Sequence, residues 1–220
     1  MKISIIIFTG LFLSACAYRW EIDVPVELQR AIHVPVRGDE NSWSIDFGQF
    51  HAYDIFDREN RVLMTDYKDL SYNVKIFEFT IEDAVGYKWN CWCEFPLRSA
   101  WEEKIRFNLQ DLRNPTYKWE MKDTVVTQLD NRLVVASYFK AKKKRLLGQV
   151  LMGYTMTYND RLVGLVDVAN TNEESFYVLP DITPEIQMLV AATGTALILK
   201  QRKWYQYQNE IEAQQMETQF

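Results

Sequence analysis

Ile186-Gln187-Met188-Leu189-Val190-Ala191-Ala192-Thr193-Gly194-Thr195-Ala196-Leu197-Ile198-Leu199 is apolar around the whole circumference of a helix. Ile186, Val190 and Leu197 lie on one side, Met188 and Leu199 roughly opposite, and Leu189 and Ile198 between them. A helix of this kind requires burial on every side. Its length of about 21 Å falls short of a hydrocarbon core of roughly 30 Å, so a surround of strands suits it better than a membrane. Thr183-Pro184-Glu185 reads as its start, with a hydroxyl to cap free N–H groups, a proline at the first helical position and an acid at the positive end of the dipole.

The chain ahead of it supplies such a surround. Most of 21–179 alternates with period two: Trp43, Ile45 and Phe47 share one face, Phe77, Phe79 and Ile81 another, and Ile105, Phe107 and Leu109 a third. Turn signals stand at Gly38-Asp39-Glu40-Asn41, Asp57-Arg58-Glu59-Asn60, Asn114-Pro115, Asp130-Asn131 and Asn159-Asp160. Roughly ten to twelve antiparallel strands result, and a meander of that length must curl into a barrel or sandwich to hide its edges. The expected fold is mainly β, with one buried hydrophobic C-terminal helix. Aromatic residues, 14% of the chain, favour such half-buried pleated surfaces.

The run Gly153-Tyr154-Thr155-Met156-Thr157-Tyr158, a hairpin, Val163-Gly164-Leu165-Val166-Asp167-Val168, then Phe176-Tyr177-Val178-Leu179 leading into the helix resembles the C-terminal end of the tubby and phospholipid-scramblase group. The resemblance implies a closed antiparallel barrel threaded by the helix. It covers about 148–200 in pattern and has no diagnostic motif, so it implies no activity. The chain departs from the group by continuing through Lys200-Gln201-Arg202-Lys203-Trp204 into a Gln-rich tail.

At the other end, Lys2 precedes an apolar run over 3–13, and Leu13-Ser14-Ala15-Cys16 closes it. This stretch resembles the lipobox of bacterial lipoproteins. The resemblance implies cleavage before Cys16, a diacylglycerol on its sulfur and an acylated amino terminus, and several acyl chains anchor durably where one does not. Ala17, where aspartate tends to retain such proteins in the inner membrane, points to the periplasmic face of the outer membrane, or the outer face of the plasma membrane if there is only one. The alternative is a buried N-terminal strand or helix with Cys16 in the core. The expected organisation is a signal peptide over 1–15, one β-rich domain over 16–204 with its helix at about 184–204, and a polar tail over 205–220.

The chemistry is sparse. The chain has two histidines, His33 and His51, in no metal-binding spacing, and no GxSxG elbow, P-loop or GxGxxG. Glu102-Glu103 and Glu173-Glu174 read as solvated faces or turns. No cofactor and no metal is expected. A net charge of −5 makes the chain a poor non-specific ligand for nucleic acid or for anionic lipid.

Alternation places Cys91 and Cys93 on one strand face with Trp89 and Phe95. Their Cα atoms would stand about 6.5–7 Å apart, at the limit for a disulfide, so buried free thiols, a strained bridge and a metal site all stay open. Lys142-Lys143-Lys144-Arg145 reads as a charged hairpin loop or as a contact with an anionic envelope surface, and Arg202, Lys203, Trp204 and Tyr205 allow the same two readings. The expectation is a lipid-anchored, non-enzymatic binding or assembly factor. The alternatives are an accessory subunit meeting another envelope protein and, third, an envelope hydrolase.

Overall fold

A computed structural model of the chain describes residues 19–38, 44–63, 71–96, 106–114, 116, 118–122, 124–142, 150–170 and 173–217. Twelve strands form one antiparallel sheet: β1 (Ile32–Pro35), β2 (Ile45–Phe47), β3 (Phe50–Leu63), β4 (Ser71–Asp83), β5 (Lys88–Pro96), β6 (Arg106–Asp111), β7 (Lys118–Lys122), β8 (Val125–Gln128), β9 (Asn131–Tyr138), β10 (Gly153–Tyr158), β11 (Arg161–Asp167) and β12 (Ser175–Val178). From β2 to β12 each strand pairs with the next in sequence, and β1 returns to pair with β12. Just past β1, Val36 donates its N–H to the Glu174 carbonyl at 2.9 Å, and Arg37 exchanges backbone hydrogen bonds of 2.8 and 3.0 Å with Asp46 of β2. The two edges of the sheet thereby meet in a nearly closed barrel, which leaves little free edge for pairing with other chains.

Eight strands enclose only enough space for their own side chains, so twelve leave room for a further element. That element is α1 (Pro184–Glu217), on which every residue over 188–202 is buried. The expected start holds: Thr183 Oγ1 accepts the Ile186 N–H at 3.4 Å and its carbonyl the Gln187 N–H at 2.9 Å. Gly194 lets the helix approach β12, because a Cβ there would lie 2.1 Å from Phe176 Cε1. Phe176 in turn stacks on Phe47 at 4.3 Å between ring centroids, joining helix, β12 and β2.

A second apolar cluster lies outside the barrel wall. The segment before β1, with its 3-10 turn Val26–Leu28, lays Ile22 and Leu28 against Met152, Leu165 and Ala169. This strap explains why Val163-Gly164-Leu165-Val166 reads as a continuous apolar run, since β11 is covered on both faces.

Two expectations are corrected. Asp57-Arg58-Glu59-Asn60 is no turn but the middle of β3, paired residue for residue with β4 from Phe56 to Leu63. Asp57 is held there by Lys75 at 3.4 Å and Lys203 at 3.0 Å, partners that local sequence does not reveal. The chain beyond 204 also continues as helix to Glu217 instead of leaving it. Gln, Glu, Lys and Met are good helix formers, and extending an anchored helix avoids the cost of nucleation.

The ends of the barrel differ. At one, turns are short: Leu129 and Asp130 join β8 to β9, and Asn159 and Asp160, with φ of 44° and 66°, join β10 to β11 as the sequence predicts. The helix leaves by the opposite end, where the strap begins at Arg19 and Trp20 and β11 connects to β12.

Candidate binding cleft

The helix-exit end carries a cleft of about 490 Å³ between the strap, β1 and the facing ends of β11 and β12. Asn170 pins the start of the strap into it, and the next residues are held by backbone hydrogen bonds from Asp23 to the Lys140 carbonyl at 2.9 Å and from Lys142 to the Glu21 carbonyl at 3.0 Å. Asn170 Oδ1 accepts the Trp20 N–H at 2.9 Å, and its amide donates to the Trp20 carbonyl at 2.8 Å. His33 on β1 and Tyr177 on β12 face each other in register, and their rings stack at 4.5 Å.

Charges of both signs line the cleft, mostly in pairs. Arg19 meets Glu173 at 2.9 Å, and Lys142 meets Glu21 at 3.3 Å. Below them Glu174 receives two bonds from Arg202, Nε to Oε1 at 2.8 Å and an Nη to Oε2 at 2.9 Å, with both side chains buried. Such forked, charge-assisted bonds are the strong kind. Asp167 differs, because it makes no ion pair among the described residues and accepts one hydrogen bond, from the Ala169 N–H at 2.9 Å. Burial, with a smaller push from Glu174, raises its pKa to about 6, while the Ala169 N–H opposes the rise. Stacked rings, a carboxyl poised near neutrality and bridged charges suit recognition of a polar ligand or partner surface.

Cys16, Lys143, Lys144, Arg145, Glu102 and Glu103 lie outside the described residues. Lys142, at the rim, is engaged with Glu21. Arg202 and Lys203 do not form a surface patch: Arg202 is buried on Glu174, and Lys203 pairs with Asp57. Glu173 and Glu174, expected on a solvated turn, are both ion-paired, and Glu174 is buried. His51 Nδ1 lies 2.6 Å from Asp46 Oδ1, and neither residue lines the cleft. Among the described residues no group of three His, Cys, Asp or Glu side chains could hold a metal.

Cys91 and Cys93 point inward beside Trp89 and Phe95, as alternation requires, and are buried free thiols. The possible bridge between them is not formed. β5 stays in unbroken register with β4 and β6 through both residues, so no bulge brings the sulfurs together. Burial pushes the Cys93 thiol up to about 12 and that of Cys91 well above its usual range.

The sequence reading missed Asn170, Asp167 and the buried charges of the helix. Lys200 is 1% exposed, its Nζ 3.5 Å from the Tyr154 hydroxyl and over that ring. A signal was available, because Lys200-Gln201-Arg202 continues the apolar wheel without a break and the barrel has further to run. No family model, curated protein or solved structure matches this chain.

Proposed function

We propose that this chain is a lipid-anchored lipoprotein of the bacterial envelope, on the periplasmic face of the outer membrane or the outer face of a single membrane. It acts as a non-enzymatic binding or assembly factor and stands end-on, with the helix-exit cleft turned to the lipid. The observation that carries this reading is the Asn170 clamp on Trp20. Arg19 follows Cys16 by three residue steps, and an extended chain spans at most about 3.6 Å per step, so an acylated Cys16 holds the cleft within about 11 Å of its lipid. Lys142, paired with Glu21, stands at the same end.

Two measurements test the proposal. Wild type takes up labelled palmitate and Cys16→Ser does not; a wild type without label removes the anchor. In liposomes containing a lipid-borne quencher, a fluorophore at Lys142 is quenched and one at Leu129, 95% exposed at the short-loop end, is not. Equal quenching at the two sites removes the end-on orientation.

One feature favours a second reading, an accessory subunit. Beyond the barrel the helix exposes Asn209, Glu210 and, at 61%, Met216, a projecting surface available to another envelope protein. Truncation at 208 that preserves stability and palmitate uptake but abolishes co-purification of a crosslinked neighbour supports that role.

A further inference from the structure

The flank of the barrel carries a separate groove of about 510 Å³ on the outer face of β3 to β6. It begins at a bulge: pairing between β3 and β4 slips between Tyr53 and Phe56, and Asp54 takes a φ of 52°. Past the bulge, Phe56, Glu78, Trp92 and Asn108 stand opposite one another on four successive strands. Two residues along, about 6.6 Å, the next outward row is Thr80, Asn90 and Gln110. Short side chains thus make the floor, with Phe56 and Trp92 rising beside them.

The composition of the groove departs from the face around it. Flanking cross-strand positions hold ion pairs, Glu82 with Lys88 and Glu94 with Arg106, whereas among the described residues no basic side chain lines the groove. Phe56 is 61% exposed. Thr80 Oγ1 donates to Asn90 Oδ1 at 3.2 Å, which leaves the Asn90 NH₂ without a protein partner among those residues. Asn108 is exposed, and its amide engages none of them.

We propose that this groove binds a neutral oligosaccharide. A pyranose ring offers C–H groups on its face, which suit the negative face of an indole or phenyl ring, and hydroxyls on its rim that both donate and accept. Asn90, Asn108 and Thr80 match the rim in both senses. Asp54, at the bulge, accepts hydroxyl protons and repels an anionic polymer. An extended peptide is disfavoured, because β3 to β6 are interior strands whose backbone groups are already paired on both sides. The groove lies away from the strap, so this inference stands apart from the anchoring proposal.

The test titrates the full chain, in a detergent without a sugar headgroup, with tetra-N-acetylchitotetraose and with cellotetraose, read by calorimetry and tryptophan emission. At least one tetrasaccharide binds. Trp92→Ala weakens it roughly tenfold, the scale of one lost aromatic contact, and Asn108→Ala weakens it several-fold. Leu129→Ala, at the short-loop end and outside both the groove and the cleft, leaves affinity unchanged. Asn108 is exposed, so its variant reports on the groove even if Trp92→Ala fails to fold. The proposal is overturned if neither tetrasaccharide binds at millimolar concentration, or if binding survives both groove substitutions unchanged.

Discussion

Arg202 and Glu174 meet through two nearly parallel hydrogen bonds of 2.8 and 2.9 Å, at the point where the central helix leaves the barrel. Glu174 also lends its backbone carbonyl to Val36, beside the contact of Arg37 with Asp46 that joins the two edges of the sheet. One buried ion pair therefore ties the helix to the seam of the barrel and forms the base of the cleft.

Removing either partner strands a buried charge, at a cost of about 3–5 kcal/mol, or roughly 6–20 °C in Tm for a chain of this size. Arg202→Met and Glu174→Leu each show that loss. The double variant is far more stable than the sum of the single losses requires, because apolar side chains of similar volume often replace a buried pair without loss. Additive losses in thermal melts would mean that the two residues act separately.

Gly194→Ala reverses the usual sign of a glycine replacement within a helix. Alanine gains about 1 kcal/mol in helix propensity, but here its Cβ would sit 2.1 Å from Phe176 Cε1. Overpacking of this kind costs about 1–3 kcal/mol or more, so Tm falls. In a Phe176→Leu background the same substitution is neutral or stabilising. A rise in Tm in the wild-type background would show that Phe176 does not pack on the helix.

These two sites mark how far the sequence could be read. Thr183-Pro184-Glu185 and Asn159-Asp160 were legible because cap and turn chemistry is local. The buried faces of Phe77, Phe79 and Ile81, and of Phe107 with Leu109, were legible because alternation survives any tertiary arrangement. Asp57-Arg58-Glu59-Asn60 misled because its polarity is answered by Lys75 and Lys203, one on the paired strand and the other on the helix. The cleft was invisible for the same reason. Trp20 and Asn170 are 150 residues apart, and no local pattern announces that one clamps the other.

Buried thiols with pKa values raised by desolvation contain almost no thiolate at pH 8. Iodoacetamide should therefore leave Cys91 and Cys93 unmodified in the folded chain and label both after unfolding, without a reductant. Labelling that needs prior reduction would establish the bridge instead.

Asp167 makes stability depend on pH in an unusual direction. An unfolded aspartate titrates near 3.9, whereas burial holds this one at about 6. Between those values the folded chain keeps a proton that the unfolded chain has lost, so stability falls as pH rises and the loss is complete above the folded value. A separation of about two units corresponds to about 2–3 kcal/mol. Asp167→Asn keeps an oxygen for the Ala169 N–H and cannot ionise. It should match wild type near pH 4, gain on it steadily to about pH 6 and hold that advantage at pH 7. Glu185, whose pKa burial also raises, leaves a shallower slope of the same sign in both proteins. The measurement is the difference in unfolding free energy between the two proteins from pH 4 to pH 7. Parallel curves would mean that Asp167 ionises freely in the folded protein and that the cleft is wetter than its geometry indicates.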